Sequence, residues 1–322
     1  MQILITGGAG YIGSHVVYDL LEIGYELTIF DNFSTGLTEN IPEGVKVIKG
    51  DLRNKKDLKK AFEKRVDIVF HFAALKAAGE SMVKPEIYAD NNIHGTLNLL
   101  MQATKSGTKY FIFSSSAAVY GNPQYLPIDE KHPTEPTNYY GYTKLAIEKN
   151  LKWFSNLKGI TFASLRYFNA TGYDLKGRVK GKEKNPQNLF PVIMETLSGK
   201  RDKMQVFGND YNTPDGSCIR DYIHVNDLSD AHIKAMDYLI ATDENLIVNL
   251  GAGKGYSVFE TIEMAEKVSG KKLNFEVTGR REGDPETLFA DPSLAFKLLG
   301  WKAKYSELEL ILKSMLPIYF NE

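Results

Sequence analysis

Residues 2–6, Gln-Ile-Leu-Ile-Thr, end abruptly in Gly7-Gly-Ala-Gly10-Tyr-Ile-Gly13, and the chain then reads as a helix to about residue 23. A short apolar run, a glycine turn and a helix in that order constrain a fold more than any composition. The run has no polar alternation, so both of its faces must be covered, as in a parallel sheet flanked by helices. The alternation recurs. Apolar runs at 26–30, 45–50, 67–72, 109–113 and 161–166 predict further strands, with helical patterns at 11–23, 54–64, 86–106 and 138–157 between them. The expectation is an α/β chain with a doubly wound parallel sheet over residues 1–168. After about residue 170 the pattern loosens. Residues 172–188 are polar and rich in Gly and Lys, which predicts a lid-like insertion leading into a smaller mixed α/β domain over 169–322. Residues 219–250 regain apolar periodicity, so part of that stretch is expected to return to the first domain.

The 322 residues are enough to bury a large core without a disulfide or metal staple. The 39 Lys and Arg against 40 Asp and Glu leave a net charge of −1, which excludes a generally basic nucleic-acid binder. No run of about 18 apolar residues occurs, so no membrane span is expected. The N-terminal residues carry no leader pattern and the last ones no lipidation signal. The single cysteine, Cys218, forms no internal disulfide and builds no cysteine-rich zinc site. A soluble cytoplasmic protein without a metal site is expected.

Gly7, Gly10 and Gly13 stand three apart at the first strand-to-helix junction. Glycine there lets the chain turn tightly and lets backbone N–H groups approach a pyrophosphate at a helix N-terminus. The second apolar run ends at Asp31, 18 residues beyond Gly13. A carboxylate in that place accepts both ribose hydroxyls of NAD and repels the 2′-phosphate of NADP. Together the two signals point to a Rossmann-type NAD site. Asp51, after the third run, has two open readings: it faces the adenine edge, or it caps the helix that follows.

Tyr140 and Lys144 lie four residues apart where a helix should begin, so they share one helix face. Of the 18 tyrosines, Tyr140 alone has a lysine four residues on. A free tyrosine titrates at about 10, so its use as a base near neutrality needs ~3 pK units, or about 4 kcal/mol. One ammonium about 4 Å away, at an effective dielectric of about 20, supplies that much. Lys144 alone is therefore expected to suffice. The fifth apolar run leads into Ser114, Ser115 and Ser116, at the strand end where open α/β sheets bind ligands. Each of the three is a candidate to share a hydrogen bond with Tyr140. His71 and His224 lie in strand-like runs and read as core residues.

TGGAGYIGSH, the Asp31 strand end, SSSAAVYG, YGYTK and LRYFNATG together resemble the extended short-chain dehydrogenase/reductase superfamily. KAAGESMVKPEIYADNNIHGTLNLL, VFGNDYNTPDGSCIRDYIHVNDLSDAHIKAM and GRREGDP, in that order, resemble its UDP-glucose 4-epimerase family across nearly the whole chain. The resemblance implies Tyr140 as base, Lys144 as its activator and Ser116 as the hydroxyl that shares the proton. It implies NAD contacts from Gly7, Gly10, Tyr11, Ile12, Gly13, Asp31, Asn32, Asp51, Leu52, Phe72, Ala73, Lys76, Asn91, Lys144 and Phe168. UDP-sugar contacts are implied at Ser116, Tyr140, Asn169, Asn188, Leu189, Phe207, Arg220, Arg281, Asp284 and Leu288. Arginine's planar fork suits the diphosphate, and Phe207 suits stacking on uracil. The implied reaction inverts the C4 hydroxyl of UDP-glucose or UDP-galactose with tightly held NAD. A homodimer joined through the helices near 90–105 and 140–156 is implied as well.

Two positions depart from that pattern. Ala118 stands where the family's serine block commonly has threonine, which removes a hydroxyl near the sugar. Leu288 takes the gate position, where a bulky tyrosine excludes an N-acetyl group and a small cysteine or serine admits it. Leucine favours UDP-glucose and UDP-galactose and leaves acetamido sugars open. An NDP-sugar 4,6-dehydratase would need an Asp-Glu acid and base after the fifth strand, where Ser116-Ala117-Ala118 carry none. A non-enzymatic NAD sensor would need the glycines without the Tyr140, Lys144 and Ser116 set.

Overall fold

A computed structural model describes residues 1–184, 186–281 and 283–320. Asn185 and Glu282, which fall in two of the stretches quoted above, lie outside the described residues, as do Asn321 and Glu322. The first part runs β1 (Ile3–Thr6), α1 (Tyr11–Glu22), β2 (Leu27–Asp31), β3 (Lys46–Lys49), α2 (Lys55–Ala61), β4 (Ile68–His71), α3 (Ala78–Val83), α4 (Pro85–Tyr88), α5 (Gly95–Lys105), β5 (Tyr110–Ser116), α6 (Tyr139–Lys158) and β6 (Thr161–Tyr167). There follow β7 (Asn169–Thr171), α7 (Leu189–Leu197), β8 (Met204–Phe207), β9 (Ile219–Arg220), β10 (Tyr222–His224), α8 (Val225–Thr242), β11 (Leu246–Leu250), β12 (Tyr256–Ser257), α9 (Val258–Ser269), β13 (Phe275–Thr278), β14 (Thr287–Leu288), α10 (Ser293–Leu299) and α11 (Leu308–Phe320).

Among the described residues, seven strands form one sheet in the order β11-β6-β5-β4-β1-β2-β3, every pair parallel. The central apolar runs are strands because helices cover both faces. Ile3, Ile5 and Ile68 point to one side with Val16 and Leu20 of α1 and Leu228 and Ala235 of α8. Leu4, Val69 and Phe111 point to the other with Leu58, Leu99 and Ile147. Each fully buried side chain of this size contributes ~1.5–3 kcal/mol. The chain leaves β1 toward opposite edges of the sheet, so a crevice opens beyond the C-terminal ends of β1 and β4. Within 219–250, α8 packs beside α1 and β11 becomes the edge strand next to β6.

The helical pattern at 86–106 is not one regular helix. A π-helical segment, Ala89–His94, joins α4 to α5. Such turns mark places where the backbone yields to side-chain demands. Here the demand is on Asn92, buried, which accepts from the Leu75 N–H at 2.9 Å and donates to the Leu75 carbonyl at 2.9 Å and to Thr143 Oγ1 at 3.2 Å.

Beyond β6 the pieces are short. β8 pairs with β13, β7 with β10, and β12, β9 and β14 make a third small sheet. Their common core draws Phe190, Ile193 and Met194 from α7, Ile262 from α9, and Ile311 and Leu312 from α11. The polar stretch after Thr171 is tied down to the first part. Arg178 donates to Asp19 at 2.6 Å, Glu22 at 2.7 Å and Asp174 at 2.8 Å. The Gly181 N–H donates to Asn40 Oδ1 at 2.8 Å.

Candidate active site

Gly7, Asp31, Phe72, Ala73 and the three serines all lie at or just after the C-terminal ends of β1, β2, β4 and β5. The glycines are required by close approach. Gly7 has φ +75°, and a Cβ added there would stand 2.5 Å from the Ala73 nitrogen. At Gly13 it would stand 2.3 Å from the Gly7 carbonyl oxygen. Gly10 is the N-cap of α1, with no side-chain cap and no acidic residue in the first turn. The first N–H groups of α1 are thus left for a ligand, and the helix end favours an anion. Asp31 is buried and accepts the N–H groups of Ala9 at 3.0 Å and Phe33 at 2.8 Å. Burial pushes its pKa up, against those hydrogen bonds. A cradle that a Cβ would fill, at a helix N-terminus beside a fixed carboxylate, fits NAD, whose pyrophosphate α1 would hold and whose ribose hydroxyls Asp31 would accept.

The other cofactor candidates spread around this crevice. Asp51 does not cap α2; Asn54 does, accepting the Lys56 N–H at 3.0 Å. Asp51 is held instead by Arg53 at 2.9 and 2.7 Å and by Asn32 at 3.2 Å, and the Arg53 hydrogen bonds keep it far below the usual carboxylate range. Leu52 is buried under Gly95. Phe72 lies against His232, 4.8 Å between ring centres, and buried Phe168 donates its N–H to the Leu250 carbonyl. The Tyr11 hydroxyl donates to the Gly172 carbonyl and Ile12 packs into the sheet core, so both offer backbone to the crevice. Asn91 donates to Asn92 at 3.0 Å. Lys76 is exposed and pairs with Glu183 at 2.8 Å.

Tyr140 is the second residue of α6, whose N-cap Asn138 accepts the Gly141 N–H at 2.8 Å. A Cβ at Gly141 would stand 2.3 Å from the Ala118 carbonyl oxygen, so glycine is what lets α6 close on the serine turn. The Tyr140 N–H donates to Ser81 Oγ at 3.0 Å. Of the three serines, Ser116 is the one whose hydroxyl is near enough to the Tyr140 phenol to favour its ionised form. Ser114 offers its carbonyl to Lys144 Nζ at 2.7 Å, and Ser115 donates to Glu148 at 2.6 Å.

The structure corrects the arithmetic for Lys144. Its Nζ lies 5.7 Å from the Tyr140 ring centre and is committed to the Ser114 carbonyl. Burial pushes the Tyr140 phenol up to about 12 and the Lys144 ammonium down to about 7. Both charged forms pay desolvation in the same pocket, which the sequence could not show. Burial therefore works against the charge that the spacing of Tyr140 and Lys144 supplies.

Across the crevice, Arg220 on β9 and Arg281 both meet Asp284, at 3.8 Å and at 2.9 Å. Asp284, read from the sequence as a ligand, sets the spacing of two guanidinium groups. Phe207 ends β8, 38% exposed, with the Arg281 guanidinium 5.2 Å above its ring. Asn188 is the exposed N-cap of α7 and Leu189 its first residue. Asn169, also exposed, donates to the Asp221 carbonyl at 2.9 Å. Leu288 stands opposite Arg220 in the β9–β14 register and packs with Ala117, Leu145 and Phe168. Ala118 donates its N–H to Ser116 Oγ at 3.2 Å. Sequence reasoning missed Glu148 and Arg166, which meet behind the serines. The available signal was the further four-residue step from Tyr140 and Lys144 to Glu148.

Comparisons with known proteins agree with this geometry. The family model described as NAD dependent epimerase/dehydratase family matches residues 3–251. A UDP-glucose 4-epimerase of Halalkalibacterium halodurans is 44% identical over 315 residues, covering 97% of this chain and 94% of that one. The solved UDP-glucose 4-epimerase of Brucella ovis in complex with NAD superposes with a TM-score of 0.96 at 40% identity, covering 99% of this chain and 98% of that one. That of Bifidobacterium longum, in complex with NAD+ and UDP, gives 0.93 at 39% identity and covers 100% and 99%. In sequence and in fold, over most of its length, the chain belongs to the NAD dependent epimerase/dehydratase family.

Proposed function

We propose that this chain interconverts UDP-glucose and UDP-galactose by inverting the C4 hydroxyl, with NAD as its cofactor. The observation that carries the reading is the meeting of Ser116, Tyr140 and Lys144 at the mouth of the NAD cradle. NAD, held by the Gly7–Gly13 cradle and Asp31, would supply a reversible hydride acceptor for C4 and a positive charge that favours the Tyr140 phenolate. Tyr140 takes the O4 proton and later returns it, and Ser116 holds that proton path by hydrogen bonding. Lys144 supplies the nearby positive charge. Arg220 and Arg281, spaced by Asp284, grip the diphosphate while Phe207 and the asparagines hold the uridine. The 4-keto sugar then turns while the nucleotide stays anchored, so binding energy is spent away from the reacting carbon.

Residues 1–168, with the stretch around 219–250, serve NAD in this reading, and the rest of 169–322 serves the UDP-sugar. Met101, Trp153 and Leu157 are left exposed on α5 and α6 beside a groove lined by Thr104 and Phe154, which supports a homodimer through these helices. Among the described residues no helix is long and apolar enough to cross a membrane. The proposed compartment is the cytoplasm. The test is direct: the purified protein converts UDP-galactose into UDP-glucose with no added reductant. UDP-4-keto-6-deoxyglucose as the main product would overturn the reading.

A further inference from the structure

We infer that Glu148 is a positioning residue for this reaction: it holds Lys144 charged and in place by locking α6 onto the serine end of β5. The inference rests on the epimerase reading above. Tyr140, Lys144 and Glu148 follow one another at four-residue steps, so they lie along one face of α6. Strand β5 meets each of them. The Ser116 hydroxyl lies by the Tyr140 phenol, the Ser114 carbonyl accepts Lys144 Nζ at 2.7 Å, and Ser115 Oγ donates to Glu148 Oε1 at 2.6 Å. Three successive serines thus fix three groups that must keep register.

Glu148 is 2% exposed. Arg166 of β6 takes both of its oxygens, Nε to Oε1 at 2.9 Å and Nη2 to Oε2 at 2.5 Å. The fork is anchored in turn, with Arg166 Nη1 donating to Tyr120 Oη at 3.0 Å and Tyr120 donating to Asn249 Oδ1 at 2.6 Å. A carboxylate bound at both oxygens by one guanidinium has its direction set by the arginine plane.

Lys144 sits in a site that opposes its charge. Around it stand Tyr140 and Glu148 from its own helix, His71 from β4 and the Phe113 ring of β5 at 4.9 Å, with Arg166 of β6 beyond Glu148. His71 is neutral, pushed down to about 3 by burial and held between Thr6 and Thr96 at 2.7 Å each. Glu148 is the neighbour whose charge favours the ammonium form of Lys144 against burial. Removing it leaves burial, which favours the amine form, less opposed.

The test is Glu148→Gln in the NAD-loaded enzyme, with kcat, KM and bound NAD followed against pH. The alkaline limb of kcat should move about one unit to lower pH, with kcat near neutrality down about tenfold. KM for UDP-galactose and NAD content should hold within about twofold. Because the single change leaves Arg166 buried and unpaired, Glu148→Gln with Arg166→Gln supplies a second, charge-free pair that should show the same displaced limb. An unmoved limb in a folded, NAD-loaded variant, with only the melting temperature lowered, would make Glu148 a structural residue and overturn the inference. Titration of the Lys144 side chain by NMR reads the same charge without turnover. A lower midpoint in the variants supports the role and an unchanged midpoint overturns it, whereas a wild type inactive on UDP-hexoses overturns the activity alone.

Discussion

In the reading proposed above, the seven-stranded sheet offers its cofactor mostly backbone. The Gly7 turn, the first N–H groups of α1 and the strand ends at Phe72 and Ala73 cannot move unless the sheet moves. Beyond residue 169 the grip belongs to side chains on two-residue strands and loops. Arg220 and Leu288 come from β9 and β14, and the Arg281 side chain is 57% exposed. Rigid backbone suits a group kept through every turnover. Long side chains, held in place by one carboxylate, suit a nucleotide that must enter and leave. The difference shows how one crevice can keep one ligand and exchange another.

Substitutions can test that division. The largest effect should come where the two halves meet: Tyr140→Phe is expected to lower kcat by about 10²–10⁴-fold with NAD content unchanged, measured by coupled assay and by cofactor extraction. Gly13→Ala forces a methyl against the Gly7 carbonyl, so the purified protein should retain less than about a tenth of its NAD. Retention of NAD there would break the backbone-cradle half of the comparison.

Acid should strike the sheet half first. Burial pushes His15 and His232 down to about 4, and His71 and His224 down to about 3. The unfolded chain binds these protons at about 6.5 and the folded chain does not, so their contribution is whole above that pH and is lost as pH falls. Asp221, pushed up to about 6 by burial, works in the opposite sense and loses its contribution as pH rises through that value. With all four histidines acting in this sense, the melting temperature should fall between pH 6.5 and 4, with NAD released in parallel; a flat profile would refute this. Arg281→Ala should raise KM for UDP-galactose about tenfold, the loss of one charge-assisted contact, with kcat within about threefold. Leu288→Cys should raise the rate on UDP-N-acetylglucosamine relative to UDP-glucose a few-fold, and an unchanged ratio would remove this side chain from the gate.

What the sequence disclosed follows from range. The sheet, the glycine cradle and the Tyr140–Lys144 pair are local patterns, and periodicity or spacing within a dozen residues reveals them. The π-helical turn at Ala89–His94 is different, because its cause is a buried Asn92 bonding Leu75 and Thr143. Asp284 lies 64 residues from Arg220, and their meeting depends on β9 and β14 pairing. The desolvation that reverses the simple charge arithmetic for Lys144 is a property of the whole packed pocket, and no spacing encodes it. The serine run looked like three equivalent candidates because alternation along a strand tells which serines share a face but not which face meets α6.

The edge position of β11 carries a consequence for how the molecule is made. A ribosome finishing residue 168 has released six of the seven sheet strands, and the residues of α8 and β11 are still unmade. Until Leu246–Leu250 emerges, β6 presents an open hydrogen-bonding edge, and the face that α8 will cover is bare. A fragment cut at residue 168 would share that defect permanently and should aggregate. The cofactor half and the substrate half are interleaved in synthesis order, so neither is a portable unit.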